Sequence, residues 1–255
     1  MLKHERHAAI LERLRRDGRV MAAELQGELG VSGFTIRRDL DELAADGRLQ
    51  RVHGGALPRS PVPDSFAARA REEVPGKRAV AAAALTLLEP GQVVALDGGS
   101  TALALAQAIA PQHRGTFVTH SPTVAAALGA HGGLDVLVLG GALDPEAMVC
   151  VGASVVDAYR ELAADLCFLG LWALHAEQGI TGRYHEEAEV RRAMLGCADR
   201  VVGLASRDKL GTVAPFRSGP ATALTDLAVE LDTPDTVLAP LRELGIRTVA
   251  APAAR

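Results

Sequence analysis

The first sixty residues carry apolar side chains at three- and four-residue spacings, the mark of helices that bury one face. Ile10, Leu11 and Leu14 predict a first helix over His4 to Asp17, which Gly18 ends. Leu25 and Leu29 predict a shorter one over Ala22 to Leu29, after which Gly30 turns the chain. The third stretch, VSGFTIRRDLDELAADG over residues 31 to 47, has Ser32 as N-cap, Ile36, Leu40 and Leu43 facing inward, and Gly47 as its stop. Two such helices joined by a short glycine turn make a helix-turn-helix, whose second helix fits a major groove about 12 Å wide. One position departs from the pattern: Met21 stands where a Ser or Thr cap is expected. The period then changes to two. In RLQRVHGGALP, Leu49 and Val52 alternate with polar neighbours around Gly54-Gly55, which predicts a small β-ribbon, or wing, with Arg51 and His53 at its tip.

Residues 58 to 65, PRSPVPDS, hold three prolines in eight positions and predict a stiff, extended linker between a head (1–57) and a body (66–255). Helical patterning follows over 66–89, interrupted at Pro75. From Gln92 onward short apolar runs, QVVALDGG, TFVTHS, DVLVLGG, ADLCFLGLW, RVVGLAS and IRTVA, alternate with helical stretches. That rhythm predicts βαβ units and an α/β, Rossmann-like, mostly parallel sheet covered on both faces. Phe168 and Trp172 read as core residues.

Composition narrows the classes. The chain of 255 residues is 48% hydrophobic and 23% charged, ordinary for a globular protein with a real core. No apolar run reaches the roughly 18 residues of a membrane span, and the start of the chain has no signal-peptide pattern, so a cytoplasmic protein without membrane partners is expected. Cys150, Cys167 and Cys197 are far apart and set in apolar segments, which predicts buried thiols with neither a disulfide nor a metal. The net charge of −4 hides an asymmetry: residues 1–59 carry 11 basic against 9 acidic side chains, and the remainder 16 against 22. A mildly basic head sits on an acidic body.

Chemistry concentrates at two places. On the third helix Thr35, Arg37 and Arg38 lie outside the apolar stripe, offering groups for bases and phosphates, while Asp39 is better placed to orient an arginine. In the body, ligands of such folds gather at the carboxyl ends of strands. Asp97-Gly98-Gly99-Ser100-Thr101 ends one strand and opens a helix, so its backbone amides, hydroxyls and helix dipole suit an anion, although such a glycine turn can equally be only a turn. Thr119-His120-Ser121, Gly140-Gly141 and Lys209 occupy other strand ends.

The order Arg6, Ile10, Leu14, Ser32, Thr35, Ile36, Arg37, Arg38, Asp39, Leu40, with RVHGGAL after it, resembles the N-terminal signature of DeoR-family transcriptional regulators. Residues 65 to 252, from FAARAREEVPGKRAVA through AEVRRAML, resemble that family's sensor domain, whose fold is similar to ribose phosphate isomerases and glucosamine phosphate deaminases. The resemblance implies a DNA-binding regulator, a repressor, that holds a double-stranded operator through Ser32, Thr35, Arg37, Arg38, Arg51 and His53. It implies a phosphorylated sugar or related metabolite as effector, with Asp97, Gly99, Ser100 and Thr101 as phosphate loop, Lys209 on the anion or a sugar hydroxyl, and Glu187 as a further contact. Two positions depart from the family pattern: His120 where Asn is usual and Ser206 where Asp is usual. Tethered heads on repeated half-sites call for a homo-oligomer, a dimer or tetramer. The alternative is an isomerase- or deaminase-like enzyme with a DNA-binding head, using Asp97, Glu187 and Lys209 as acid-base groups; no catalytic spacing, cofactor motif or metal set accompanies them.

Overall fold

The computed structural model of the protein describes residues 1–72 and 74–251. In the head, α1 (Lys3–Asp17), β1 (Val20–Met21), α2 (Ala22–Leu29), α3 (Gly33–Ala45), β2 (Gln50–Val52) and β3 (Gly55–Leu57) follow one another. Ile10, Leu14, Leu25, Ile36, Leu40, Leu43 and Leu49 form their common core. Gly18 closes α1 with φ 69° and returns its amide to Leu14 O at 3.0 Å. Ser32 Oγ caps α3 by accepting from Thr35 N at 3.2 Å.

Met21 is explained by a strand that the periodicity does not reveal. Val20 and Met21 pair with Ala56 and Gly55, so the wing is a three-stranded sheet in the order β1-β3-β2. The missing side-chain cap of α2 is replaced by a main-chain group, because Ala22 N donates to Gly54 O at 2.8 Å. The turn needs both glycines: Gly54 has φ 76°, and a β-carbon on Gly55 would lie 2.0 Å from Val20 O.

The body begins with α4 (Phe66–Arg71) and α5 (Val74–Leu85); Pro75 falls in the first turn of α5, where its missing amide costs nothing, so it opens that helix instead of breaking one. Then come β4 (Val93–Leu96), α6 (Ser100–Ala108), β5 (Gly115–Thr119), α7 (Pro122–Gly129), β6 (Leu134–Val138), β7 (Ala142–Asp144), β8 (Val149–Val151), α8 (Ala153–Arg160) and β9 (Leu166–Gly170). The chain continues through β10 (Ala173–His175), β11 (Gly179–Gly182), α9 (His185–Met194), β12 (Val201–Leu204), β13 (Phe216–Gly219), β14 (Asp226–Val229), α10 (Asp235–Glu243) and β15 (Arg247–Ala250). Seven strands form a parallel sheet in the order β15-β14-β12-β9-β4-β5-β6.

One face of that sheet, where Phe168 points, is covered by α5, α6 and α7 through Val80, Leu105 and Val124, and the other by α8, α9 and α10 through Tyr159, Val190, Met194 and Leu238. Two antiparallel excursions, β7-β8 and β10-β11-β13, lie outside the βαβ rhythm and were not foreseen in DVLVLGG or ADLCFLGLW. The three cysteines are free and buried. Because β4 leads to β5 and β6 on one side while β9 leads to β12, β14 and β15 on the other, the winding reverses between β4 and β9, which opens a crevice at their carboxyl ends.

The connector is extended, as three prolines dictate, but docked. Val213 N donates to Pro58 O at 3.0 Å, Ser60 N to Val213 O at 3.1 Å, and Ser60 Oγ to Trp172 O at 2.9 Å.

The wing generates a prediction. Gly55→Ala sets a methyl against a fixed carbonyl and destabilises the head by about 2 kcal/mol or more. Thermal melting of the full chain should show a lowered head transition with the body unmoved; melting identical to the parent would remove the steric account.

Candidate effector recess and DNA-facing helix

The crevice between β4 and β9 is organised by Asp97, whose side chain is buried. Its Oδ1 accepts from Gly98 N at 2.7 Å and lies 3.5 Å from His120 Nε2, while Oδ2 accepts from Gly170 N at 3.0 Å and Arg191 Nε at 3.2 Å. Arg191 Nη1 is 2.7 Å from Glu187 Oε2, one turn back on α9. Burial alone would lower the pKa of Arg191, yet Glu187 and Asp97 more than offset it and raise it well above the usual value.

In front of this network the amino end of α6 points into a recess. Gly99 caps the helix with φ 89°, a β-carbon on Gly98 would lie 2.1 Å from Val149 Cγ1, and Thr101 Oγ1 is buried without a partner. Around it converge Arg69 from α4, Lys77 from α5, Arg191 from α9 and Lys209 from the loop after β12, with Gly170 and Trp172 as wall. Arg191 is matched by its two carboxylates, Arg69 and Lys209 face the helix beside it, Lys77 lines the outer part, and Glu72 and Asp208 line the same space. Among the described residues neither Arg69 nor Lys209 forms an ion pair. Burial, aided by neighbouring cations, lowers Lys209 to about 8, and burial also lowers Arg69. Buried cations gathered at a helix amino end are an arrangement that favours an anion.

The roof of the recess is the connector. Val62 lines both of its parts and Pro63 the outer one, each part holding about 30 Å³. Arg69 donates through Nη1 to Pro63 O at 3.2 Å and to Asp64 O, and lies 5.0 Å from the Trp172 ring centre. Lys77 Nζ donates to Arg69 O and Glu72 O. Asp64 pairs with Arg183 at 3.1 Å. A larger cleft of about 420 Å³ between α5 and α6 shares Lys77 and Ser100 with the recess, but its walls are mainly alanine and leucine and suit a sugar poorly.

Of the strand ends singled out by sequence, Gly98, Gly99, Ser100, Thr101 and Lys209 line the recess. Asp97 and Glu187 stand behind its wall and orient Arg191. The other strand ends serve elsewhere. Thr119 Oγ1 accepts from Ser121 N at 3.2 Å, and Ser121 Oγ donates to Met148 O at 3.1 Å. His120 is buried between Asp97 and Tyr159, whose hydroxyl is 2.9 Å from Nδ1. Gly140 and Gly141 pack at β8 and α8, where Ser154 Oγ donates to Gly140 O at 3.2 Å and a β-carbon on Gly141 would meet Val151 O at 2.5 Å. Ser206 lines the outer part of the recess and donates to Asp208 Oδ1 at 2.5 Å. Sequence reasoning missed Arg69, Lys77 and Arg191; the Glu187–Arg191 spacing was the one local signal available.

On the head, α3 turns Ser32, Phe34, Arg37 and Arg38 to solvent, with Thr35 half-buried. Arg38 reaches Glu42 at 3.3 Å, whereas Arg37 forms no ion pair among the described residues. Arg51 is drawn back from the wing tip, 3.1 Å from Asp41 and donating to Gly55 O at 3.2 Å, which leaves His53 exposed at the turn. Asp39 is buried and accepts from Arg6 Nε at 2.7 Å and Nη2 at 2.9 Å, bracing α3 on α1. Burial pushes its pKa up, but Arg6 and His7 outweigh that and lower it.

Residues 6–61 match the DeoR-like helix-turn-helix domain and residues 72–230 the DeoR C terminal sensor domain. The chain is 36% identical over 214 residues to the HTH-type transcriptional regulator GlpR of Haloferax volcanii, covering 83% of each. It is 31% identical over 223 residues to the HTH-type transcriptional repressor GlcR of Bacillus subtilis, covering 85% of this chain and 84% of that protein. Among solved structures, ribose 5-phosphate isomerase A from Methanocaldococcus jannaschii is similar at 18% identity and TM-score 0.34, over 50% of each chain.

His120 makes the body acid-sensitive. Burial lowers its pKa to about 4, with Asp97 partly opposing, while the unfolded side chain titrates near 6.5. The neutral ring is therefore favoured by folding, and its stabilisation, complete above 6.5, is lost as pH falls toward 4. Between pH 7 and pH 5 the parent should lose about 2 kcal/mol that His120→Asn does not lose. Equal losses in melting at the two pH values would exclude His120 as the source.

Proposed function

This chain belongs to the DeoR family of transcriptional regulators, and from that premise we propose that it is a repressor released from its operator when a phosphorylated sugar or related metabolite enters the recess at the head of α6. The observation that carries the coupling is the roof. The two parts of the recess, about 30 Å³ each, are narrow and are walled by Val62 and Pro63, so a sugar phosphate is accommodated by moving the connector. Arg69 is the latch: the guanidinium that grips the Pro63 and Asp64 carbonyls also borders the anion site, and a phosphate competes for it. Ser60 and Pro58 lie on the same segment, docked on Trp172 and Val213. Arg59, between them, packs its guanidinium against Gly47 at the end of α3, where a β-carbon would lie 2.9 Å from Nη1. Displacing the connector therefore withdraws Arg59 from the recognition helix.

The ligand favours the undocked arrangement and operator DNA the docked one, which is the differential binding that coupling requires. Two heads held together gain from effective concentration on repeated half-sites, so the working form is a homo-oligomer, a dimer or tetramer. Exposed Leu137 and Val138 on the edge strand β6, with Leu143 on β7, support association of the body with a second copy. Among the described residues no helix is long and apolar enough to cross a membrane, and a repressor at its operator acts in the cytoplasm.

Binding without turnover fits the engagement of the carboxylates. Asp97 accepts from two backbone amides and Arg191, and Glu187 is held by Arg191, so neither is free to take a proton from a substrate. We assign Ser32, Thr35, Arg37, Arg38, Arg51 and His53 to the DNA side, with Arg51 held by Asp41 in the free head.

The test is a panel of sugar phosphates and sugar alcohol phosphates with their unphosphorylated counterparts. One phosphorylated compound at about a hundred times its dissociation constant should stabilise the chain by about 2.7 kcal/mol and lower operator affinity, its unphosphorylated counterpart doing neither. In Arg69→Ala both responses should vanish, and operator affinity without ligand should fall below the parent's because the connector loses its latch. Stabilisation by no phosphorylated compound, or a full response in Arg69→Ala, overturns the proposal.

A further inference from the structure

Phe34 is 72% exposed, the most exposed large hydrophobic side chain among the described residues, and it occupies the first turn of α3. Isolated apolar residues on a surface ordinarily need no explanation. This one lies on the face opposite Ile36, Leu40 and Leu43, three and four residues before Arg37 and Arg38, at the end of the helix that reaches base edges in a helix-turn-helix.

The neighbouring groups are already committed. Ser32 Oγ accepts from Thr35 N at 3.2 Å and lies 2.9 Å from Thr35 Oγ1, so the two hydroxyls hold the cap. Gly33 is pressed against α2, where a β-carbon would come within 2.8 Å of Gln26 Oε1. Arg38 is drawn to Glu42. The first turn thus offers DNA one large unengaged side chain, and it is apolar. In the major groove the bases present hydrogen-bonding edges and a single apolar feature, the C5-methyl group of thymine. An aromatic ring pressed on any other edge would strip water from donors or acceptors and return nothing.

We propose that Phe34 reads a thymine methyl in each half-site and is a specificity-determining residue of this regulator. The proposal rests on α3 being the DNA-reading helix. Phe34 discriminates thymine from cytosine by contact with the methyl, and Arg37, one turn on and without an ion pair, reads or anchors beside it.

The experiment uses the full chain and a duplex selected by it from a random library. Each thymine of the half-sites is replaced singly by deoxyuridine, which removes the methyl and nothing else. The parent should lose about threefold to tenfold in affinity at one position of each half-site. Phe34→Ala, whose melting should be unchanged because the ring is exposed, should bind thymine and deoxyuridine duplexes equally and select a relaxed base at that position. A parent that ignores every methyl while binding its selected duplex overturns the proposal alone. A parent that selects no sequence overturns the reading of α3 as well. Methyl sensitivity that persists in Phe34→Ala assigns the contact to another residue and overturns it too.

Discussion

A buried carboxylate at the point where a parallel sheet reverses its winding is the constraint on which the body depends. Asp97 must leave water, so every lone pair it turns inward needs a donor, and those donors come from distant parts of the chain: Gly98 beside it, Gly170 at the end of β9, and Arg191 on α9. Satisfying one side chain fixes the separation of β4 and β9 and the azimuth of α9. It also turns Arg191 along the wall of the recess, where it joins Arg69, Lys77 and Lys209. The head repeats the device on a smaller scale. Asp39 and Arg6 form a buried, two-pronged pair that sets α3 against α1 and keeps the carboxylate away from phosphates.

The connector joins head to body. Its prolines cannot donate main-chain hydrogen bonds, so its attachment is sparse: two main-chain bonds with Val213, one bond to Trp172, the grip of Arg69 on two carbonyls, and the Asp64–Arg183 pair. On the proposed reading, a segment held by few contacts, one of which the effector would compete for, is suited to switching. The largely exposed Arg19–Glu177 pair at 3.8 Å between head and body adds little to this docking.

Much of the head was legible because its information is local. Spacings of three and four placed Ile10, Leu14, Ile36 and Leu40 in one core, and Gly54-Gly55 announced the wing. Met21 looked anomalous only because a two-residue strand is too short to show a period. In the body the βαβ rhythm gave the parallel sheet and its strand ends, yet strand ends proved a coarse guide. Gly98 to Thr101 and Lys209 line the recess, whereas Gly140, Gly141 and Ser121 are spent on packing and turns, since a residue's place at a strand end does not say which way the crevice opens. Arg69, Lys77 and Arg191 were invisible because their convergence joins elements more than a hundred residues apart, and nothing in a proline-rich stretch tells a docked connector from a free one.

If ligand entry and connector docking exclude one another, amide hydrogen exchange at Ser60 and Val213 reports it. Both amides are bonded across the connector at 3.1 and 3.0 Å. With a saturating phosphorylated ligand, shown to bind by its thermal stabilisation, the account predicts faster exchange at both, while the amides of β4 and β9 slow or stay unchanged. Unchanged or slower exchange at Ser60 and Val213 in the liganded protein would contradict it.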